Sequence, residues 1–325
     1  MKSKRQQILK WVAQGHIATK DIDEALEITQ SNNNKWYGFI RQSLLWLSVL
    51  SIAFGVIFFF AYNWDNISVF TKFILIQGLI LFSLFFYTQI TSQSQASTAT
   101  LFFLALLIGS LFALFGQTYQ SGKDPWQLFM LWTLFITPLA FTSRSSSLWL
   151  LWLLLANVTL NLALNVRYGL LGFLFDNERN LLLYAFLNFV AASSFEFLYH
   201  SKYKLINSRV ASQVAIVVTM VAFTWVSIYS VFEIGKKSFD LLFYLGWMTS
   251  VYYFYRVKTM DIMVLSSWVI SGIVFIIFSI ARIVNNDFDG AIFLILGLLI
   301  IGMSTMGVKW LMKLLKESHD HGEAS

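Results

Sequence analysis

The chain has 325 residues, of which 57% are hydrophobic, 18% are aromatic and only 12% are charged, and its mean hydropathy is +0.66. A soluble domain carries roughly 25% charged residues, so this composition excludes an ordinary soluble protein and indicates an integral membrane protein. The chain contains no cysteine, which excludes disulfides, thiolate metal ligands and cysteine nucleophiles.

The N-terminal 36 residues are amphipathic and mixed in charge, and they predict a short helical hairpin. Gly15 can end the first helix in a left-handed conformation, and Thr19, followed by acidic residues, can cap the second. The second helix is acidic where a DNA-binding helix would meet phosphate, so we favour a cytoplasmic mini-domain and expect no nucleic-acid partner. The segment from Ser31 to Lys35 is the predicted linker.

Ten apolar runs follow, most of them close to the roughly 20 residues that a membrane-spanning helix needs. The runs are continuously apolar and do not alternate, which favours transmembrane helices over the strands of a barrel. The predicted spans are Ser43 to Tyr62, Phe70 to Ile90, Ala99 to Phe115, Trp126 to Phe141, Ser147 to Asn165, Leu181 to Tyr199, Val210 to Phe232, Phe239 to Tyr255, Ile262 to Ala281, and Ala291 to Trp310.

The fold class is therefore predicted to be an all-α, polytopic transmembrane helical bundle of about ten spans. Its predicted parts are a hairpin with its linker (1–36), a transmembrane domain (37–313) and a disordered cytoplasmic tail (314–325). Most lysines and arginines fall in connections on the same side as the N-terminus, so the positive-inside rule places both termini in the cytoplasm.

A polar stretch, GQTYQSGKDPWQLF, lies between the third and fourth spans. Asp124 followed by Pro125 is typical of a helix N-terminus, and Gly116 is the predicted end of the third span. Because both spans are short, we expect this segment to lie below the outer membrane surface, near the polar turn after the first span. The candidate outer ligand site comprises Asn63, Asp65, Gln117, Tyr119, Gln120, Asp124 and Trp126. The alternative is a capped turn whose amides bond to neighbouring loops.

Three asparagines, Asn157, Asn161 and Asn165, recur at four-residue spacing along the fifth span and share one helical face. Exposure of this stripe to lipid would be costly, so it faces either another helix or a hydrophilic path. Asn188 on the next span is the expected partner if the stripe is a contact between helices.

Glu196 is the one acid inside a predicted span beyond its first two residues, and His200 follows one turn later. Intramembrane acids are candidates for a proton or cation relay. The alternative is an ordinary ion pair with the nearby Lys202 and Lys204, because Glu196 lies close to the cytoplasmic end of its span. We predict no metal site, no cofactor and no catalytic residue.

Two motifs, FFFAYNWDNIS after the first span and FGQTYQSGKDPWQLFMLW across the third and fourth, resemble a bacterial family of predicted membrane proteins called domain of unknown function 2157. The turn at Gly15 and His16 is similar to the opening of that family. The resemblance covers roughly residues 5 to 145, and Ser121 stands where threonine is expected. It implies a multi-pass protein of the bacterial inner membrane with no assigned activity.

Three functions remain open from the sequence. The first is a small-molecule transporter or permease with the outward-facing polar site named above. The second is a membrane scaffold or envelope sensor that contacts a membrane-protein partner, and the third is an enzyme acting on a lipid-linked substrate. The partners that we expect are the lipid bilayer and either a small-molecule ligand or another membrane protein.

Overall fold

The computed structural model describes residues 11–12, 14, 16, 22–62, 66–92, 94–119, 124–165, 177–202, 204–232, 238–284 and 290–323. In these residues the chain is helical, without strands. The α-helices, in chain order, are α1 (Ile22–Tyr62), α2 (Val69–Thr88), α3 (Gln95–Tyr119), α4 (Pro125–Ser143), α5 (Ser146–Asn165), α6 (Asn177–His200), α7 (Val210–Phe232), α8 (Ser238–Tyr253), α9 (Ile262–Val284) and α10 (Gly290–Glu323).

The predicted fold class is confirmed, since each predicted span corresponds to one helix and 9 of the helices in the described part of the chain are long and apolar enough to cross a membrane. The remaining helix, α8, has 16 residues and continues into a π-helical turn, Phe254–Lys258.

Two helices extend further than the sequence predicted. Helix α1 runs through the predicted linker, Ser31 to Lys35, and α10 continues to Glu323, into the residues predicted as a tail. At the end of α10, good helix formers such as Leu315 and Lys316 favour continuation. The buried side chain of Leu314 adds packing there.

The chain divides into two compact units, Met1–Leu114 and Phe115–Ser325. In the first unit, Ile76 and Leu114 form a small buried core with Val56, Phe73, Ile80 and Leu111 around it. Trp46 and Phe102 also meet there edge to face, with their ring centroids 5.2 Å apart.

Helix α7 is the centre of the second unit, and about half of its apolar stretch is buried. Small residues such as Ala211, Ala215 and Thr219 lie along its buried face, which lets neighbouring helices approach closely. Helices α6, α8 and α9 all pack against α7. This arrangement brings α6 and α8 to the same helix, α7, and the candidate site lies between α6 and α8.

Candidate functional site

The structure describes only part of the predicted outer polar site. Asn63, Asp65 and Gln120 lie outside the described residues. Gln117 and Tyr119 are exposed near the end of α3, while Asp124 and Trp126 are half-buried at the start of α4. The outer site therefore stays a prediction.

The third span is longer than predicted. Helix α3 has 25 residues and continues through Gly116 to Tyr119, so the expected helix end at Gly116 is wrong. A Cβ atom on Gly116 would lie 2.5 Å from Leu128 Cδ1 of α4. The close approach of Leu128 therefore accounts for a glycine at this position. Asp124 stands at the N-cap of α4 as predicted, but its side chain makes no capping hydrogen bond.

The first asparagine of the stripe joins α5 to α6. Asn157 Nδ2 donates to Asn188 Oδ1 at 3.1 Å, and Asn188 Nδ2 donates back to Asn157 Oδ1 at 2.7 Å. The two amides also donate to the backbone carbonyls of Leu153 and Tyr184. The predicted partnership of these two residues is confirmed, and all the amide hydrogens of the pair have acceptors within the protein. Asn157 therefore forms a contact between α5 and α6.

The rest of the stripe is less informative. Asn161 is exposed on the surface of α5, and the side chain of Asn165 lies outside the described part of the chain. The hydrophilic path along this face stays a prediction. Asn157 does not support it, because its amide hydrogens are donated to acceptors within the protein.

Glu196 forms an ion pair, but its partner is Arg209, just before α7, and not one of the two predicted lysines. Arg209 Nη2 lies 2.5 Å from Glu196 Oε1, and Ser212 Oγ donates to Glu196 Oε2 at 2.8 Å. The Glu196 side chain is only 13% exposed. Arg209 is brought to Glu196 because the connection after α6 folds back into the start of α7.

Asp261 extends this charged cluster to α9. Its Oδ1 atom caps α9 by accepting from the backbone N–H groups of Met263 and Val264. Its Oδ2 atom accepts from Gln213 Nε2 at 2.7 Å and lies 3.5 Å from Arg209 Nη1. We call Glu196, Arg209 and Asp261 the charged cluster. No local sequence pattern predicts this cluster, because its members are separated by up to 65 positions, although an aspartate before an apolar run does indicate a helix cap.

The guanidinium of Arg209 remains charged in this setting. Burial is the largest single influence and lowers the pKa of Arg209, but the hydrogen bond to Glu196 and the charges of Glu196 and Asp261 together raise it above its usual value. The cluster therefore holds one cation between two acids.

Hydrogen bonds place several of the basic connections at one end of the second unit. Asn207 N donates to the carbonyl of Arg144, the residue that ends α4 at a φ of 52°. Arg256, in the turn after α8, pairs with Glu317 of α10 at 3.0 Å. Together with the charged cluster, these contacts bring three of the connections predicted to be cytoplasmic, and the C-terminal part of α10, to the same end of the unit.

A cavity of about 620 Å³ lies beside the charged cluster, between α6 and α8. Its walls are mainly aromatic, and α7 contributes Ile216. The lining includes Phe189, Phe197, Trp247 and Phe254, with Glu196 and His200 at one end. Phe197 is 75% exposed, so the cavity is open on one side.

A second cavity of about 670 Å³ continues the first along the same two helices, and both are lined by Phe189, Trp247 and Ser250. Leu182 and Leu242 line its far end. We call the two together the α6–α8 groove. Helices α6 and α8 run in the same direction, and the groove extends from Leu182 to His200, about 27 Å at 1.5 Å per residue. That length is close to the roughly 30 Å of a bilayer hydrocarbon core.

Trp247 lies in the middle of the groove, between two rings. Its ring centroid lies 5.4 Å from that of Phe189 and 5.4 Å from that of Phe223. The Trp247 Nε1 atom is buried and has no hydrogen-bond acceptor among the residues that the structure describes. A buried donor without an acceptor costs free energy, so a bound group that accepts a hydrogen bond here would be favoured.

The described residues contain no group of three or more histidine, aspartate or glutamate side chains that could hold a metal ion. The groove therefore offers apolar contact, one pair of ionisable side chains at its end and one unpaired donor in its middle. This is the chemistry of a binding site for a molecule with both apolar and polar parts.

Residues 9–149 match a family described as "Predicted membrane protein (DUF2157)". The resemblance seen in the two sequence motifs is therefore confirmed, over almost the range that they predicted. No curated protein and no solved structure is significantly similar to the chain.

Proposed function

We propose that this membrane protein binds an amphiphilic small molecule in the α6–α8 groove. The observation that carries the proposal is the groove itself, which is apolar over most of its length and ends at Glu196 and His200. Each of its cavities has a volume within the 300–1,000 Å³ that is usual for small-molecule sites. An ionisable residue inside a membrane-spanning helix is a functional candidate in its own right.

The open side of the groove supports entry from the bilayer. Phe197 and Tyr253 flank this opening and are largely exposed, as expected for side chains in contact with acyl chains. A molecule dissolved in the bilayer could enter sideways, with its apolar part between α6 and α8 and its polar part at Glu196. Movement of that molecule across the membrane is the activity that we favour, because the groove is nearly as long as the hydrocarbon core is thick.

The location belongs to the same proposal. The family resemblance supports the inner membrane of a bacterium, and the basic connections gathered near the charged cluster support a cytoplasmic position for that end. In this orientation the Glu196 end of the groove faces the cytoplasm.

Quenching of Trp247 fluorescence tests the binding. The protein is placed in nanodiscs and titrated with dodecyl maltoside brominated on its alkyl chain, a neutral amphiphile whose bromine atoms quench tryptophan. The chain has 12 tryptophans, so the Trp247→Phe variant is titrated in parallel and subtracted. We expect a saturable quenching component that belongs to Trp247.

Two neighbouring residues of α8 provide a matched pair of variants. Ser250 and Thr249 are both exposed, and each donates to the carbonyl four residues earlier, but only Ser250 lines the groove. Ser250→Phe should fill the groove and remove the saturable component, whereas Thr249→Phe should retain it. If Ser250→Phe is quenched like the wild type, the groove is ordinary lipid-facing surface, and the membrane scaffold becomes the better hypothesis.

A further inference from the structure

Glu196 provides hydrogen-bond acceptors at its end of the groove, where the lining also includes the hydroxyl-bearing residues Tyr253 and Tyr255. Each carboxylate oxygen of Glu196 receives one hydrogen bond, from Arg209 or from Ser212. A carboxylate has about four acceptor positions, so about two remain for a ligand. The two existing bonds hold the carboxylate in one orientation at the wall of the groove.

His200 and Ser250 add acceptors to the same groove. His200 Nδ1 lies 2.9 Å from the backbone carbonyl of Glu196, which can only accept, so Nδ1 carries the hydrogen. In the neutral imidazole, Nε2 is then an acceptor. The hydroxyl hydrogen of Ser250 is donated to the carbonyl of Gly246 at 2.7 Å, which leaves the Ser250 oxygen as an acceptor towards the groove.

The connections at this end of the unit are basic, but the charged group in the groove wall itself is the carboxylate of Glu196, which favours a cation. The charged cluster contains two acids and one arginine. Each cation on the adjoining turn already has a partner, because Arg256 pairs with Glu317 and Lys258 Nζ lies over the ring of Phe254, a residue of the groove wall, 5.4 Å from its centroid. Neither of these two cations lines the groove.

We propose that the α6–α8 groove takes a lipophilic amine, with the ammonium group bound by Glu196 and His200 and the apolar part between α6 and α8. An ammonium group brings three donors and one positive charge to a site that presents acceptors and a carboxylate. This inference rests on the proposed function and specifies the ligand of the same site. Trp247 Nε1 is a second point of recognition, about 10 Å deeper along α6, where an ester or amide carbonyl of the ligand would accept its hydrogen.

Competition against the brominated neutral probe tests the head group. Dodecylamine and N-dodecylacetamide have the same alkyl chain, but the nitrogen of the second compound is acylated and uncharged. We expect dodecylamine to displace the probe from wild-type protein at a concentration about tenfold lower than N-dodecylacetamide needs, because a hydrogen bond to a charged group is worth more than a neutral one. We call the N-dodecylacetamide concentration divided by the dodecylamine concentration the displacement ratio. Partition into the bilayer is the same for every variant, so a change in this ratio between variants reports the site.

Glu196→Gln removes the charge but keeps an acceptor oxygen of similar size, and it should bring the ratio close to one. Glu317→Gln is the control, since it removes an acid at the same end of the unit but outside the groove, and it should keep the preference. Binding of the neutral probe by Glu196→Gln shows that this variant is folded. If Glu196→Gln does not fold, His200→Phe serves as a second variant, because His200 is exposed, and it should lower the displacement ratio.

The outcomes separate the two proposals. Failure of the neutral probe to bind the wild type contradicts groove binding as a whole. The amine assignment is overturned, and groove binding stands, if the wild-type displacement ratio is near one or if the preference survives in Glu196→Gln. When Glu196→Gln does not fold, an unchanged ratio in His200→Phe has the same meaning.

Discussion

Replacement of Arg209 by methionine should be among the most destabilising changes at the end of the second unit where the charged cluster lies. Arg209 is the only cation in direct contact with Glu196 and Asp261 among the described residues. The side chains of these two acids are only 13% and 5% exposed. In Arg209→Met, both acids stay largely buried with no opposite charge beside them.

The magnitude follows from the partial burial of the cluster. Removal of one member of a fully buried ion pair costs about 3–5 kcal/mol. Arg209 is 21% exposed, and Ser212 and Gln213 still donate to the acids in the variant, so we expect about 3 kcal/mol, the lower end of that range. Glu196→Gln should cost only about 1–2 kcal/mol, because the amide oxygen still accepts from Arg209.

The free energy of unfolding can be measured by titration of mixed micelles with sodium dodecyl sulfate, with helix content as the signal. Lys202→Met is the control, since Lys202 is an exposed cation in the same connection. We expect Lys202→Met to stay within about 0.5 kcal/mol of wild type. If the two substitutions have equal effects, Arg209 does not stabilise the fold through the charged cluster, and the reasoning fails.

Two further predictions concern contacts between helices, and the same titration measures both. Asn157→Leu leaves the completely buried Asn188 amide without its partner and should cost about 1–3 kcal/mol. The double variant with Asn188→Leu should recover most of that loss, and a strictly additive double variant would contradict an interaction across α5 and α6. A Cβ on Gly307 of α10 would lie 2.5 Å from Val269 Cγ1 of α9, so Gly307→Ala should destabilise by about 1–3 kcal/mol. Gly302→Ala, with no atom within 4 Å of the added carbon, should be neutral or stabilising, and equal effects of the two alanines would refute this packing argument.

The helices could be predicted from the sequence because each depends on a local property. A run of about 20 apolar residues must be helical in a bilayer, where backbone groups have no water to bond. The contact between Asn157 and Asn188 could also be predicted, because amides on one face of a membrane helix need acceptors and Asn188 is the amide of the next span.

The helix ends were harder to predict. A glycine such as Gly116 is compatible both with the end of a helix and with close packing inside one, and only the position of Leu128 decides between them. The same limit applies to Glu196, for which the nearest basic residues in sequence were the natural candidates. Its actual partner depends on how the connection after α6 returns to α7, which no local pattern encodes.

The groove could not be predicted at all, because it arises between helices that do not touch over most of their length. Phe189 and Trp247 read as ordinary lipid-facing or packing residues in the sequence, and 58 positions separate them. Their meeting depends on the position of α7, which lies between α6 and α8 in the chain and also packs against both. A cavity is a property of three helices together, whereas hydropathy describes one helix at a time.

The charged cluster and the groove share Glu196, and this sharing suggests how a single acid can serve both structure and recognition. Arg209 and Ser212 occupy one acceptor position on each carboxylate oxygen, so they fix the orientation of the carboxylate without using all of its capacity. A ligand ammonium group would therefore meet an acceptor that is already oriented, and little conformational entropy would be lost on binding. Asp261 has the complementary role, because it is bound to Gln213 and to the start of α9 and does not line the groove. Loss of the Asp261 charge should therefore change the stability of the fold. It should not change which ligand the groove prefers, because that preference depends on Glu196.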